Sequence, residues 1–491
     1  MEEYKFDEIN NFIKELENKK IVLWTENGKI KYKAPKGVIT VQELDKIKSQ
    51  KEKIIQFLTL KQRTNEKLQE TFPLTAIQRA YLLGSDEAYA LGGINAHYYM
   101  ELESTCFDTE QLSIAFNKVI KNTDALRTII LPEGKQAVLD KVPDFVIEEV
   151  YFQNEDERRQ ARERWSHCRY ELQKWPLYNM RISHIEGQPD ILHIDFDCIV
   201  MDAWSAKMMI TKMFDLYGGQ SVEWPAYSFK QYCMDEIEYR KTNLEKEAWS
   251  YWKEKVKSLP LAPMLPYRKK LALIHGHRFS RLSDKLTKED TKLLYQLIKK
   301  NRLTPAAVIC TVYMKILAAY SENSELTLNL TLFNRLPLHK DVQNILGDFT
   351  NIGVASFTDN LGSFLDEVRF VQKQFWDLIR FHSFNGTQIL KLLSSKSFGQ
   401  AVLPVVFTGV LQGERFVKKF LPEQVRDVYA ISQTPQVVLD YQATDFNGEL
   451  LINWDYVIEA FDEPLILEMF SKNSLLLRRL LCSEWTEVIR V

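Results

Sequence analysis

Apolar and polar residues alternate from Ile191 to Phe196, the period of a half-buried strand, and from Ala203 to Phe214 apolar residues recur at helical spacing. Asp197 and Asp202 lie between the two patterns, so a pair of carboxylates brackets a strand-to-helix turn, where sites are commonly built. The same spacing lets Asp202 cap the helix and Asp197 join a structural ion pair. Pattern alone leaves both readings open.

The first sixty residues form a separate pattern. Phe6, Ile9, Phe12, Ile13 and Leu16 share one helical face, and the period then switches to an alternating run from Ile21 to Lys33. Asn27-Gly28 sits mid-run and predicts a hairpin, since a type I′ turn needs positive φ at both central residues. Thr40 and Glu43 form a capping box before Val41, Leu44, Ile47, Ile54 and Leu58, which recur at helical spacing. Along the hairpin edge Lys29, Lys31 and Lys33 alternate with Ile30 and Tyr32, which suits either capture of an acidic extended peptide or protection of an edge strand.

A polar stretch ends the module, giving expected boundaries of 1–60 for the module and 61–71 for a linker. Thr75 is placed to cap a helix burying Ile77, Tyr81 and Leu82. Thereafter strands (Tyr98–Leu102, Leu126–Leu131, Leu326–Phe333, and around Leu403 and Gln436) alternate with helices (Thr109–Asn122, Tyr227–Val256, after Thr304-Pro305, and near Leu361–Phe381). Leu259–Pro266, with three prolines, reads as an extended connector. This order predicts an α/β class, with two lobes over 72–226 and 227–491 as the simplest division of so long a chain.

Composition narrows the function classes. With 64 basic and 66 acidic residues the net charge is −2, which gives no general attraction to nucleic acid or anionic lipid. No apolar run approaches the roughly 18 residues that span a bilayer, and the acidic, polar first residues do not resemble a signal peptide. A cytoplasmic protein is expected. The six cysteines are scattered, arguing against a disulfide framework or zinc cluster, and His275-Gly-His277 lacks a third ligand at recognisable spacing, so no metal is assigned.

Polar residues end several apolar strands of the second lobe: Asn334 and Arg335, Thr408, and Asp440. From Ile431 to Gln442 the alternation predicts one strand with Gln436, Val438, Asp440 and Gln442 on a shared face. A carboxylate on such a face is a candidate acid or base, though singly such groups are more often structural.

Two resemblances organise these pieces. Leu23-Trp24 followed by Ile30-Lys-Tyr-Lys-Ala-Pro-Lys-Gly37 is similar to the N-terminal β-hairpin docking domains of modular peptide and polyketide synthetases. From Phe72 nearly to the C-terminus the chain resembles the heterocyclisation domains of nonribosomal peptide synthetases. Its matching pieces are Phe72-Pro-Leu-Thr with Ala80-Tyr81 and Gly84; Asp197, Asp202 and Ser205; Leu259-Pro with Leu265-Pro266; Gly347-Asp-Phe-Thr350; Leu403-Pro-Val-Val-Phe-Thr408; and Thr434-Pro-Gln436-Val-x-Leu-Asp440-x-Gln442. The resemblance implies the condensation superfamily: two chloramphenicol-acetyltransferase-like lobes in a V with a central tunnel, behind a small α, β-hairpin, α docking domain.

The implied reaction joins a carrier-bound acyl or peptidyl donor to carrier-bound cysteine, serine or threonine, then cyclises and dehydrates the product to a thiazoline or oxazoline. Its partners would be upstream and downstream carrier proteins and the C-terminal peptide of an upstream subunit, with no nucleic acid and no membrane. No cofactor is implied beyond the phosphopantetheine arms that deliver the substrates. Where ordinary condensation domains carry His-His-x-x-x-Asp-Gly, this chain has Asp197-Cys198-Ile-Val-Met-Asp202-Ala203. The resemblance therefore assigns dehydration to Asp440, with Thr408 beside it and Asn334 polarising or orienting the intermediate. Asp197, Asp202, Ser205 and Gln436 become motif residues, Asp202 paired with Arg127, Arg278 or Arg335. Two departures stand out: Asn122-Thr-Asp-Ala-Leu-Arg127, and Gly409 where serine is usual, which removes a hydroxyl near Thr408. The rival readings are a carrier-docking platform without turnover, and condensation without cyclisation.

Overall fold

The computed structural model describes residues 12–13, 15–16, 19, 21–26, 29–35, 38–51, 53–55, 71–359, 361–394, 403–411 and 421–491. They divide between two units, Met1–Thr71 and Phe72–Val491.

In the first unit β1 (Val22–Glu26) and β2 (Lys29–Lys33) pair antiparallel from Glu26↔Lys29 to Val22↔Lys33, a register that leaves two residues for the link. Asn27 and Gly28 themselves, with Phe6, Ile9, Leu58 and residues 61–70 of the linker, lie outside the described residues. Thr40 and Glu43 make the expected capping box at the start of the helix Val41–Ser49: the Thr40 N–H donates to Glu43 Oε2 at 2.7 Å, and the Glu43 N–H donates to Thr40 Oγ1 at 3.3 Å. Phe12, Ile13, Leu16, Ile21, Leu23, Ile47 and Ile54 close a small core, while Lys31, Tyr32 and Lys33 are exposed.

The second unit opens with β3 (Phe72–Pro73), which pairs with β6 (Lys135–Val138); β6 also pairs with β5 (Thr128–Ile130). Between β3 and β5 in the chain comes β4 (His97–Ser104), which contains the strand expected at Tyr98–Leu102. It joins β7 (Glu148–Tyr151), β8 (Tyr178–His184) and β9 (Asp190–Asp197) in a mixed sheet. Met100, Leu102, Met180, Ile182, Leu192, Ile194 and Phe196 pack this sheet against the helices Thr109–Lys121 and Ala203–Tyr217. Period-2 strand and period-3.6 helix thus meet where the sequence places them.

A second, six-stranded sheet contains β10 (Phe279–Leu286), β11 (Glu325–Phe333), β12 (Thr350–Thr358), β13 (Val405–Val410), β15 (Leu439–Phe446) and β16 (Glu449–Val457) in the order β10-β16-β15-β13-β11-β12. β13 lies parallel to both neighbours and the other pairs are antiparallel. Its apolar face carries Phe407, Tyr441 and Trp454; Tyr313 of the helix Pro305–Tyr320 packs against Tyr441 and edge-on to Trp454, and Phe407 packs against Tyr441.

One expectation is corrected. Ile431 to Gln442 is not a continuous strand: β14 (Arg426–Gln433) ends before Thr434-Pro435, and Gln436 takes φ 65°, which ends extended backbone. β14 does not enter the six-stranded sheet either. It pairs antiparallel with β4, from Gln433↔His97 to Arg426↔Glu103, completing the first sheet with residues from the second half of the chain. Residues 434–438 then carry the chain across to β15.

Trp454, next to Asp455 on β16, is fully buried on the opposite face of the sheet. Trp454→Ala is expected to cost about 3–5 kcal/mol in equilibrium chemical denaturation.

Candidate active site

Register places one polar face on the six-stranded sheet. Thr331 lies opposite Thr408, Thr408 opposite Gln442, Asp440 opposite Asp455, and Asp455 opposite Arg281. Since side chains alternate, these groups share the face opposite to Phe407, Tyr441 and Trp454. Thr408 Oγ1 is 3.0 Å from Asp440 Oδ1 and 2.9 Å from Thr331 Oγ1. A hydroxyl has one proton: it goes to Asp440 when the carboxylate is ionised, and to Thr331 when Asp440 is itself the donor.

The other carboxylate oxygen, Asp440 Oδ2, accepts from Gln442 Nε2 at 2.9 Å. Behind Gln442 lies a buried ion pair, Arg281 Nε and Nη2 to Asp455 Oδ1 and Oδ2 at 2.6 and 2.5 Å. Burial pushes the Asp440 carboxyl up to about 6 and the neighbouring Asp455 adds to that, against donation from Gln442 and Thr408 and the charge of Arg281. A carboxyl so tuned holds a proton in mildly acidic solution and exchanges it near neutrality.

The aspartate motif lies elsewhere and is tied to a different turn. Asp202 caps its helix by accepting from the Ser205 N–H at 2.6 Å, and its second oxygen accepts from the Phe349 N–H at 3.1 Å. Ser205 Oγ donates to the Gly347 carbonyl at 2.7 Å and accepts from Arg335 Nη2 at 2.9 Å. Among the three candidate arginines it is Arg335 that stands 3.7 Å from Asp202, while Arg278 pairs with Glu163 and Arg127 donates to the Leu139 carbonyl. Arg335 also lies over the Phe349 ring, 3.9 Å from its centroid. Burial raises the Asp202 carboxyl, and Arg335 with the two N–H donors pulls it back. Among the described residues no arginine pairs with Asp197: Asn95 Nδ2 at 2.8 Å and the Ile199 N–H at 3.0 Å are its donors, and burial pushes it to about 6.

A family model described as the condensation domain matches residues 68–482. The chain belongs to the condensation-domain family. A second model, the TubC N-terminal docking domain, matches residues 9–59 of the first unit. The solved cyclization-docking bidomain of EpoB from Sorangium cellulosum is similar at 28% identity and a TM-score of 0.79, covering 97% of this chain and 99% of that one. Pyochelin synthetase PchF of Pseudomonas aeruginosa is 29% identical over 96% of this chain, and phenyloxazoline synthase MbtB of Mycobacterium tuberculosis 28% over 82%. The chain spans only 27% and 29% of those two proteins, and 8% of bacitracin synthase 1 from Bacillus licheniformis, which it matches at 28% identity over 87% of its own length.

Within this condensation domain the expected residues do not all converge. Asn334 is not a partner of the Thr408–Asp440 pair: its Nδ2 donates to the His382 carbonyl at 2.8 Å, and it lines a polar cavity with Thr75, Asp348, Thr350 and Asn351. Asp348 Oδ2, buried, has no hydrogen-bond partner there. Gln436 does not share a face with Asp440; it is exposed in the turn and its N–H donates to the Leu91 carbonyl at 3.0 Å. Gly409 proves remote from the acid, since a Cβ there would point at Phe407, 3.1 Å from its Cε1, on the apolar side of β13. A serine hydroxyl at 409 would not reach Asp440.

Sequence reasoning missed Arg281, Asp455, Thr331 and Ser432. A carboxylate inside the apolar run of β16, at Asp455, was the available signal. It also missed the group that brings His97 Nε2, Cys168 Sγ and Asp195 Oδ1 within 4.8 Å of one another, because its members are far apart in sequence. There Tyr170 and Arg181 already engage the two oxygens of Asp195, the latter at 3.0 Å, and burial with the adjacent carboxylate pushes the Cys168 thiol up, which suits a hydrogen-bonded thiol. His277 is buried with both ring nitrogens unpartnered and is pushed down to about 4. No single helix among the described residues is long and apolar enough to cross a membrane.

Replacing Arg335 by Leu would leave Asp202 buried without its cation. The expected loss is about 3–5 kcal/mol by chemical denaturation near neutral pH. That loss should shrink as the pH falls and Asp202 takes up a proton, because protonation removes the buried charge.

Proposed function

We propose that this chain forms the docking and heterocyclisation portion of a nonribosomal peptide synthetase acting in the cytoplasm. Upstream and downstream carrier proteins present their substrates on phosphopantetheine arms. The acceptor amine attacks the donor thioester, a C–N bond forms, and the donor arm leaves as thiol. The acceptor's side-chain thiol or hydroxyl then adds to the new amide carbonyl, whose oxygen takes the proton to become a hydroxyl. Loss of that hydroxyl as water, with the nitrogen's proton, closes the C=N bond of a thiazoline or oxazoline.

The observation that carries this reading is Asp440, a carboxyl raised to about 6 and set 3.0 Å from the Thr408 hydroxyl, in a chain with no histidine at 197 or 198. Hydroxide leaves poorly, so dehydration is the step that needs an acid. Asp440 protonates the departing oxygen and recovers a proton from the ring nitrogen, while Thr408 orients or relays. Asn334, three residues beyond Thr331 and about 10 Å farther along the chain, orients the acyl part of the intermediate. Asp197, Asp202 and Ser205 hold the framework. The naming of relatives as a cyclization-docking bidomain and a phenyloxazoline synthase supports the same reading. In the first unit Lys29, Lys31, Lys33 and Tyr32 receive the acidic C-terminal peptide of an upstream subunit along β2.

Incubation with a loaded donor carrier and a cysteinyl carrier, followed by mass measurement, tests the assignment. Amide minus water is expected; amide alone would mean simple condensation, and no product a docking platform. Asp440→Asn should lower ring closure by roughly 10²–10⁴-fold with amide accumulating, and Thr408→Val should do so more mildly. Because the acid must be protonated, the ring-closure rate should fall as the pH rises above about 6. Deleting residues 1–60 should abolish pairing with a separate upstream subunit at low carrier concentration and spare turnover when carriers are in excess. Equal activity of both forms at low concentration would remove the docking assignment.

A further inference from the structure

An amide side chain can sit either way round, and its neighbours decide which. At Gln442 the decision is forced. Arg281 Nη2, a donor only, lies 2.8 Å from Gln442 Oε1, so the oxygen faces the guanidinium. The nitrogen then faces three acceptors: Ser432 Oγ at 2.7 Å, Asp440 Oδ2 at 2.9 Å and Asp455 Oδ2 at 3.0 Å. Reversal would set N–H against guanidinium and carbonyl oxygen against two carboxylates.

Arg281 itself is held by Asp455, whose second oxygen also accepts from the Ser432 N–H at 2.9 Å. The side chains of Arg281 and Asp455 are 6% and 0% exposed, so neither is free to turn. A carboxylate oxygen that accepts an N–H is a poor seat for a proton, and Asp440 has one oxygen so occupied and one beside a hydroxyl. We infer that the Arg281–Asp455 ion pair is a positioning device: by fixing the Gln442 amide it keeps the exchangeable proton of Asp440 on Oδ1, the oxygen next to Thr408. This rests on the assignment of Asp440 as the dehydrating acid. Arg281, Asp455 and Gln442 are positioning residues, with no substrate contact of their own.

Among the described residues, the charged and titratable groups that face Asp440 are Arg281 on β10, Asp455 on β16 and the Tyr313 phenol beneath the sheet, with Thr408 on β13 and Gln442 on its own strand beside them. Removing the Gln442 N–H therefore has a defined sign. It withdraws a donor that favours the ionised form, so the pH above which ring closure falls should move up, by about one unit.

The test uses the full chain with an acetyl-loaded donor carrier and a cysteinyl carrier, and reads amide and ring separately across pH. Gln442→Glu keeps the volume and an oxygen toward Arg281 but loses the N–H; Gln442→Leu loses both. Both should form amide within about twofold of the parent, lose ring closure by tenfold or more, and shift the descending limb upward. Arg281→Lys keeps the charge without the fork and should behave as the Gln442 variants do. Unchanged ring closure and an unmoved limb in both Gln442 variants, with Asp440→Asn inactive in cyclisation, would overturn the inference while leaving the acid in place. Equal loss of amide formation would show the network to be structural only and overturn it as well. Ring closure surviving in Asp440→Asn would instead remove the acid assignment on which it rests.

Discussion

A carboxylate taken out of water has to find its charge and its hydrogen bonds inside the protein, and Asp202 finds them from both halves of the second unit. Ser205 supplies one donor from the same helix; Phe349 and Arg335 come from the 347–349 turn and from just past the end of β11. Ser205 Oγ is shared between Gly347 and Arg335. The Arg335 contact and the Phe349 N–H reach Asp202 only when the Ala203–Tyr217 helix and the 347–349 turn have met, so the knot specifies how they meet. Gly347 lets the same turn pack on the helix Phe229–Tyr239: a Cβ there would stand 2.1 Å from the Phe229 ring.

A second knot, on the polar face of the six-stranded sheet, serves another purpose. Its ion pair is also buried, but its groups lead outward through Gln442 to Asp440 and Thr408. In the first knot the carboxylate is spent on backbone donors and holds the frame. In the second, one carboxylate is spent on an arginine so that its neighbour across the strand pair stays half-satisfied and titratable.

What the sequence disclosed follows from how local each feature is. The strand ending at Asp197, the helix from Ala203 and the Thr40–Glu43 box depend on residues within a few positions, and periodicity reports them faithfully. Pairing of Thr408 with Asp440 depends on two parallel strands; only the resemblance put those residues together. The break at Gln436 was hidden because alternation continues in phase through Thr434-Pro435, and the proline was weaker as a signal than the flanking apolar residues. The resemblance places Asn334 with the acid, whereas its amide donates to the His382 carbonyl. Arg281 and Asp455 gave no local signal of partnership, since the two meet only through the β10–β16 register.

The strand lent by the second half to the first sheet has a consequence for the order in which the molecule is made. β14 closes against β4 through residues more than three hundred positions apart, as in Arg426 to Glu103. During synthesis the edge of β4 stays open until residues 426–433 have left the ribosome, and such distant pairings are slow to form because a long loop must close first. Residues 72–226 are therefore not a module that can be cut out and exchanged, since the piece would carry an unpaired β4 edge that invites association with other chains. Recombination between related synthetases should respect this: the segment 426–433 belongs, for purposes of exchange, with the half of the protein that precedes it by three hundred residues.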